Sequence, residues 1–519
     1  VTDGATEVLV LGTGIAGCAA ALAAAREGVD VTLVTRAESA EESNTVYAQG
    51  GIVGRPAGDT PEALAADIEK AGAGLCEPEA VLRLAREGPE LVHRLLVEEL
   101  QVPFDREGGG FHWTLEGGHG IPRILHVKDE TGRPIERAML SACRAEKRIR
   151  WRTSTTAVDL LTPDHDSVEP TDRYRPAAVV GAYLLERSGE VSPQRAAETV
   201  LATGGLGQVY LHTTNPPGAR GDGIAMAKRV GARLLNLEYV QFHPTALVHA
   251  KGRLLLTEAL RGEGARILDV SGREFLREAH PAGALAPRDV VARAIHRHML
   301  VRDDPHVLLD ISFKPTAWIQ ERFPTLFRRC LDLGFDLTAG PVPVVPAAHY
   351  ACGGVAVDAD GRSSIGHLRA VGEVSCSGVH GANRLASTSL LEGLLWGWRA
   401  GRAAAAEVRR PGRRAPPQVK AWQPENEPVD PALIAQDWTV IRHTMWNYVG
   451  LARSQKRLDR AGRILVELRA EIEDFYRRGT MSDALLGLRN GVRTALAIRR
   501  AASDNRVSLG SHYRDDGPA

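Results

Sequence analysis

Near its start the chain carries an apolar run that stops at glycine, Glu7-Val-Leu-Val-Leu-Gly12, followed without a spacer by Gly12-Thr13-Gly14-Ile15-Ala16-Gly17. A short apolar run of this kind reads as a buried parallel strand. An Ala-rich stretch from Cys18 to about Glu27 has helical composition, and Val29 to Thr35 reads as a second strand. Strand, glycine turn, helix and strand make the βαβ context in which G-x-G-x-x-G predicts a dinucleotide site. The first glycine makes the tight turn, the second lets backbone approach a pyrophosphate, and the third permits close helix–strand packing. The helix N-terminus adds unpaired N–H groups and the positive end of its dipole. The acidic residue expected about 20 positions on is missing, because Thr35 and Arg36 stand there and Glu38 comes later. That argues against a plain nicotinamide site. Thr35 offers a hydroxyl to a ribose, and Arg36 a flat cation to adenine.

Helical spacing recurs over 63–70, 77–87 and 90–99, and an alternating strand covers 179–186. Residues 197–202 read as another strand, ending in Thr203-Gly-Gly205, a turn suited to the sheet beneath a dinucleotide. Residues 164–176 read as a polar loop, and Gly221-Asp222-Gly223 opens a helix at which Asp222 is expected as the cap. The stretch 237–346 has strands and helices but no second glycine fingerprint, whereas 353–358 and 368–373 return to the β-type pattern of the first part. A helix is expected from Ser389 to about Val408, then a proline-containing linker, then helices over 438–478 and 483–502. The expected class is α/β: a Rossmann-like nucleotide-binding domain interrupted by an α+β capping domain and followed by a C-terminal helical bundle. The expected boundaries are 1–237 and 349–410 for the split domain, 238–348 for the cap, 411–431 for the linker and 432–519 for the bundle.

Composition narrows the function classes. Among 519 residues, 64 Lys+Arg balance 64 Asp+Glu, so the electrostatic footprint of a nucleic-acid binder is missing. Mean hydropathy is −0.17, and no run approaches the ~18 apolar residues of a membrane span. The acidic start leads straight into a strand and does not read as a signal peptide. The six cysteines, Cys18, Cys76, Cys143, Cys330, Cys352 and Cys376, show no Cys-x-x-Cys pair and no Cys/His zinc spacing. Free thiols in a reducing cytoplasm and no metal site are the expectation.

Four clusters place polar residues among glycines. Ser43-Asn44-Thr45-Val46-Tyr47-Ala48-Gln49-Gly50-Gly51 suits close approach to a flat ring, with Thr45 and Gln49 as hydrogen-bonding groups. Leu115-Glu116-Gly-Gly-His119 joins a carboxylate and an imidazole with backbone freedom. The third comprises Gln241-Phe-His243-Pro-Thr245, Thr257-Glu258-Ala-Leu-Arg261-Gly-Glu263 and Ala286-Pro-Arg288-Asp289. The fourth is His349-Tyr-Ala-Cys-Gly-Gly354 with His380-Gly-Ala-Asn-Arg384-Leu-Ala-Ser-Thr-Ser389-Leu390-Leu-Glu392. Taken singly, each loop is as readily an ordinary turn, and each arginine more readily a surface ion pair. Together, two histidines and an arginine ahead of a helix N-terminus suit a small dianion beside a cofactor.

These segments, in this order, resemble the succinate dehydrogenase/fumarate reductase flavoprotein family, and within it the branch that oxidises L-aspartate. The resemblance runs from about Glu7 to the last helix. It implies FAD. The respiratory dehydrogenases carry a histidine that bonds covalently to FAD where this chain has Asn44, so a non-covalent cofactor is implied. Glu116 matches the acid with which the aspartate branch meets the substrate ammonium. Carried over residue by residue, Gly12, Thr13, Gly14, Ile15, Ala16 and Gly17 would hold the pyrophosphate. Arg36 and the loop from Asn44 to Gly51 would line adenosine or flavin. Asp222, Glu373, Ser389 and Leu390 would complete that site, the helix at Ser389 pointing its positive end at the flavin. Gln241, His243, Thr257, His349 and Arg384 would bind substrate, with Arg288 over the bond being oxidised.

The implied reaction takes L-aspartate to iminoaspartate, with O2 or fumarate as electron acceptor, as the first step of NAD biosynthesis, with quinolinate synthase as a partner for the product. Two rival readings are a dehydrogenase or reductase subunit requiring an iron–sulfur partner, and a catalytically silent FAD-binding module. One departure falls at the end of the chain. The family usually shows Arg-Gly-x-His-Tyr-Arg, and here Leu509 replaces the first arginine in Leu509-Gly-Ser-His512-Tyr-Arg514.

Overall fold

The computed structural model describes residues 5–517 apart from 250–251, 413, 424 and 426. Its centre is a parallel sheet in the spatial order Ile149–Arg152, Val31–Val34, Thr6–Leu11, Val191–Leu201, Leu368–Ala370. Val8, Leu9 and Val10 have no exposed surface, which is why the first strand reads as a continuous apolar run. The strand Val191–Leu201 serves two layers. Its later residues pair with the parallel sheet, while Val191 to Arg195 pair antiparallel with Gly181–Leu185, which in turn pairs with Thr156–Leu160.

The helix Ile15–Arg26 is buried from Ile15 to Ala25, so its small side chains sit between elements instead of forming an amphipathic stripe. Against it lies the helix Ser389–Val408. Gly393, Gly397 and Gly401 recur one turn apart on the contact face. A Cβ at Gly397 would lie 2.3 Å from the Ala16 carbonyl oxygen, and one at Gly401 2.2 Å from that of Ala20. The two backbones therefore touch.

The insertion builds a five-stranded antiparallel sheet in the order Gly252–Leu255, Val240–His249, Val342–Ala351, Val307–Asp310, Arg266–Leu268. Helices Arg288–Arg302, Thr316–Arg322 and Pro324–Asp332 flank it, around an apolar core that includes Ile267, Ile295, Val307 and Phe323. Its first and last long strands pair Val240 with Ala351, so the chain leaves and re-enters the nucleotide-binding layer at one place. Three helices, Pro431–Val449, Gln455–Arg478 and Asp483–Asp504, follow, capped by Asp430, Ser454 and Ser482. The architecture is the α/β fold with an inserted cap and a helical C-terminal part.

Local expectations shift in three places. The stretches 77–87 and 90–99 form one continuous helical rod, Pro78–Leu91 running into a wide-turn π-helix over Val92–Glu99. Pro89 removes a backbone donor inside the rod, but the buried stripe Val81, Leu84, Ala85, Leu91, Val92, Leu95 and Leu96 continues across it. Burying that stripe outweighs the lost hydrogen bond, and the wider turn begins at Val92, three residues past the proline. Asp222 is the first helical residue, not the cap. Gly221 takes that place at φ 78°, and the Asp222 carboxylate accepts from Arg220 and Asn490, both at 2.9 Å. Residues 164–176 include two short helical turns, pinned to the linker by Val168 N–H to Gln418 O at 3.0 Å. Among the described residues no helix is long and apolar enough to cross a membrane, and no His/Cys/Asp/Glu group is placed to hold a metal.

The helix contact predicts a sign. Gly→Ala inside a helix ordinarily gains up to about 1 kcal/mol, whereas Gly397→Ala should cost about 1–3 kcal/mol through overpacking. Denaturant unfolding of the apoprotein checks it, and a stabilised variant would show that the helices do not touch there.

Candidate active site

One cavity runs from the first glycine turn to the inserted sheet. At Gly12, φ is +120°, and a Cβ there would lie 2.0 Å from the Ala202 carbonyl oxygen, so only glycine turns the chain under the neighbouring strand. Gly12, Thr13, Gly14, Ile15 and Ala16 face the cavity. Gly17 does not line it. An added Cβ there would be 1.9 Å from Gly12 O, which makes Gly17 the close-packing position of the turn.

The 43–51 loop folds over this turn. Ile15 N–H donates to Thr45 Oγ1 at 3.0 Å, and Asn44 Nδ2 donates to Glu373 Oε2 at 2.8 Å. Asn44, Thr45, Tyr47, Ala48, Gln49, Gly50 and Gly51 reach the cavity, whereas Val46 is buried away from it. Burial pushes the Glu373 carboxyl up to about 7 against the pull of Ala351 N–H and Asn44. At the far end Arg36 lies beside Gly218 and pairs with Asp483 at 3.4 Å, with Asp222 and Arg220 in the same ionic network. Ser389 and Leu390 bring the first turn of the second buried helix to the wall, and the residue before them, Thr388, makes no side-chain cap bond.

The walls fit a flavin dinucleotide. A glycine cradle meets one helix N-terminus, a second N-terminus lies at the other end of the loop, and buried Gln49 Oε1 and Thr203 Oγ1 have no partner within the protein. Orphaned buried polar atoms on a cavity wall call for ligand groups.

The other half of the cavity is cationic. Arg288 starts the helix Arg288–Arg302 and donates through Nε to Glu258 Oε2. Glu258 starts a short helix capped by Thr257 and also pairs with buried Arg261 at 3.5 Å. Burial would raise the Glu258 carboxyl, but Arg288 and Arg261 hold it down at about 2. Gln241 Oε1 accepts from Arg384 at 3.1 Å and Arg288 at 3.4 Å, while its amide donates to Asn383 Oδ1 and Arg384 O. It bridges the two arginines from behind the wall and does not line the cavity. The Arg384 guanidinium stacks 4.6 Å from the Tyr350 ring centre, and its buried Nε has no partner.

His243 and His349 stand edge to face with centroids 5.4 Å apart. Burial, reinforced by the nearby arginines, holds both well below the ordinary histidine range. Thr245 N–H donates to His243 Nδ1 at 3.3 Å, so the neutral ring carries its proton on Nε2 and is a donor. Glu116 lies opposite. Its Oε2 accepts from Ser387 Oγ at 2.5 Å, and Gly51 N–H donates to that same hydroxyl at 3.1 Å. Among the described residues Glu116 has no ion-pair partner, and burial raises its pKa against the pull of Ser387 and the arginines.

Several contributors were not singled out from sequence. Glu258 and Ser387 fall inside the segments 257–263 and 380–392 with no role of their own, and Arg261 reads there as a surface ion pair. Thr214, whose hydroxyl is 2.9 Å from His349 Nδ1, sits in the polar run His212-Thr213-Thr214-Asn215, which carries no glycine pattern.

The family described as FAD binding domain matches residues 7–390, and that described as fumarate reductase flavoprotein C-term matches 439–519. An L-aspartate oxidase of Pseudomonas aeruginosa is 42% identical over 99% of this chain and 95% of its own. One of Halobacterium salinarum is 43% identical, over 99% and 97%. The chain belongs to the L-aspartate oxidase family. The fold is shared more widely among flavoproteins. A mutant E. coli quinol fumarate reductase superposes with a TM-score of 0.85 at 26% identity, over 98% of this chain and 91% of that one. As a member of the L-aspartate oxidase family the chain binds FAD, and with an amide at position 44 it holds FAD without a histidyl bond. Acid precipitation of the purified holoprotein should therefore leave all the flavin in the supernatant, and yellow colour in the washed pellet would refute it.

Proposed function

We propose that the chain oxidises L-aspartate to iminoaspartate, with fumarate or O2 as the acceptor that returns the cofactor to its oxidised state, yielding succinate or peroxide. In this reading it starts NAD biosynthesis and passes its product to quinolinate synthase. The supporting observation is Glu116, a half-buried carboxylate with no ion-pair partner among the described residues, on the wall of the same cavity as a cluster of arginines and neutral histidines. A dicarboxylate bearing an ammonium complements that arrangement, whereas plain succinate leaves Glu116 facing nothing of opposite charge.

Bound FAD supplies the hydride acceptor, its N5, for the hydrogen on the substrate Cα. Arg384, with its unpartnered Nε, and His349 hold one carboxylate. Thr257 and the Nε2–H of His243 hold the other. Two neutral imidazoles give hydrogen bonds without adding to a charge that Arg261, Arg288 and Arg384 already supply. Glu116 holds the ammonium and takes one of its protons, so that hydride loss from Cα leaves an iminium and charges balance. Its raised pKa suits that proton transfer. Glu258 and Gln241 orient Arg288 over the Cα–Cβ bond. Oxidation to the imine takes no proton from Cβ, whereas reduction of fumarate must deliver one.

Charge-assisted hydrogen bonds contribute about 1.5–3 kcal/mol, so Glu116→Gln should raise KM for L-aspartate about 10- to 100-fold while leaving succinate binding near its original level. In the parent protein KM should climb as pH falls through the Glu116 pKa, above the ordinary carboxylate range, and the variant should lose that limb. Equal losses for aspartate and succinate would exclude a role at the ammonium. Arg288→Leu should damage fumarate reduction more than aspartate oxidation, and comparable losses in the two assays would reject that division of labour. Anaerobic mixing decides the reaction itself: L-aspartate should bleach the flavin, and bleaching by succinate alone would overturn the proposal.

A further inference from the structure

The segment after the last helix, from Leu509 to Asp516, lies across the join between the inserted cap and the nucleotide-binding layer. On one side it meets the turn that delivers Arg384. Ser511 donates through both N–H and Oγ to the Ala382 carbonyl, at 3.0 and 2.9 Å. Gly510 backs onto the same carbonyl so closely that a Cβ would be 2.5 Å away. Leu509 packs against the small apolar cluster of Tyr239, Tyr350, Cys352 and Ala382, and Tyr350 carries the Arg384 guanidinium on its ring.

On the other side the segment meets the helix that begins at Arg288. Tyr513 sits between Arg293 and Arg297, whose guanidinium carbons are each 5.1 Å from its ring centre. Arg297 donates to the Tyr513 hydroxyl at 2.7 Å, and Arg293 to the Gly510 carbonyl at 3.3 Å. Buried Arg453 anchors the segment from below, donating to His512 Nδ1 at 2.5 Å while its N–H donates to Tyr513 O at 3.1 Å. One short stretch thus grips the support of Arg384 and the support of Arg288.

We propose that this segment is a strap, with Tyr513 and Ser511 as positioning residues that set the separation between Arg384 and the cap-borne Arg288 and Thr257, and thereby the length of dicarboxylate the site accepts. The inference rests on the dicarboxylate reading above. None of the strap residues lines the cavity, so their influence passes through the arginines they space.

The test titrates holoenzyme with malonate, succinate and glutarate, reading the perturbation of the flavin spectrum, for the parent protein and for Tyr513→Ala, Tyr513→Phe and Arg297→Gln. The parent should prefer the four-carbon acid. Misplacement of binding groups by a fraction of an ångström costs about tenfold or more, so Tyr513→Ala should narrow the succinate preference by about that factor at unchanged Tm. Tyr513→Phe, which keeps the ring between the arginines, should retain most of it. Arg297→Gln should lower selectivity, and combining it with Tyr513→Ala should add little further, because the loss of Tyr513 already removes the Arg297 contact with its ring and hydroxyl. If Tyr513→Ala does not fold, Arg297→Gln and Tyr513→Phe decide. A selective parent whose folded variants keep full selectivity overturns the strap alone. A parent without length preference overturns the dicarboxylate reading and the strap with it.

Discussion

Backbone contact between two buried helices underlies the cofactor end of the cavity. Gly393, Gly397 and Gly401 let Ser389–Val408 lie directly on the alanines of Ile15–Arg26. Both helices begin at the cavity, so two positive dipole ends converge on one ligand. Three helical glycines each cost about 1 kcal/mol relative to alanine. That cost is offset by the burial of an entire alanine helix, which wider side chains would hold away from the sheet.

The substrate end faces a different constraint, since it collects charge in a desolvated place. Arg261, Arg288 and Arg384 are answered by Glu258 and Glu116, leaving one unit of positive charge when both acids are ionised, while the histidines stay neutral. L-aspartate carries a net charge of minus one, and its binding brings the centre to neutrality; succinate overshoots it. Burial of an unbalanced charge is expensive, so the inventory itself discriminates between two acids of the same length. Gln241 contributes by offering one oxygen to both arginines, holding like charges in a fixed relation without adding another.

Much of this was legible in the linear chain because the chemistry depends on residues that are rare in such combinations. The glycines of 12–17 announce a strand–turn–helix, and clusters such as 241–245 and 349–354 set a histidine among small and apolar neighbours, on what prove to be two paired strands of the inserted sheet. What escaped depends on contacts distant in sequence. Nothing near Ser387 tells that it relays Gly51 N–H to Glu116, nor near Thr214 that it faces His349. Gln241 and Val46 sit in the right segments, yet only three dimensions show that one acts from behind the wall and the other packs inward. Pro89 misleads in the opposite direction, because a local breaker is overridden by a stripe that buries on both sides of it.

The far end of the cavity has a consequence for how the molecule is completed. Asp483, at the start of the last helix, accepts hydrogen bonds from Arg220, Arg36 and Thr156, residues that belong to the nucleotide-binding layer. A chain synthesised only as far as Val408 already holds the sheet, the glycine turn and both buried helices, but Arg36 and Arg220 still lack that anionic partner. Arg220 is held by Asp222 meanwhile, but Arg36 waits for the final segment to dock, so this corner of the nucleotide-binding layer is finished last. Cofactor capture then reports on whether the whole chain has arrived: a truncated product keeps Arg220 on Asp222 but leaves Arg36 without its carboxylate, and loses the stabilisation that a tightly bound ligand confers on the native state by mass action.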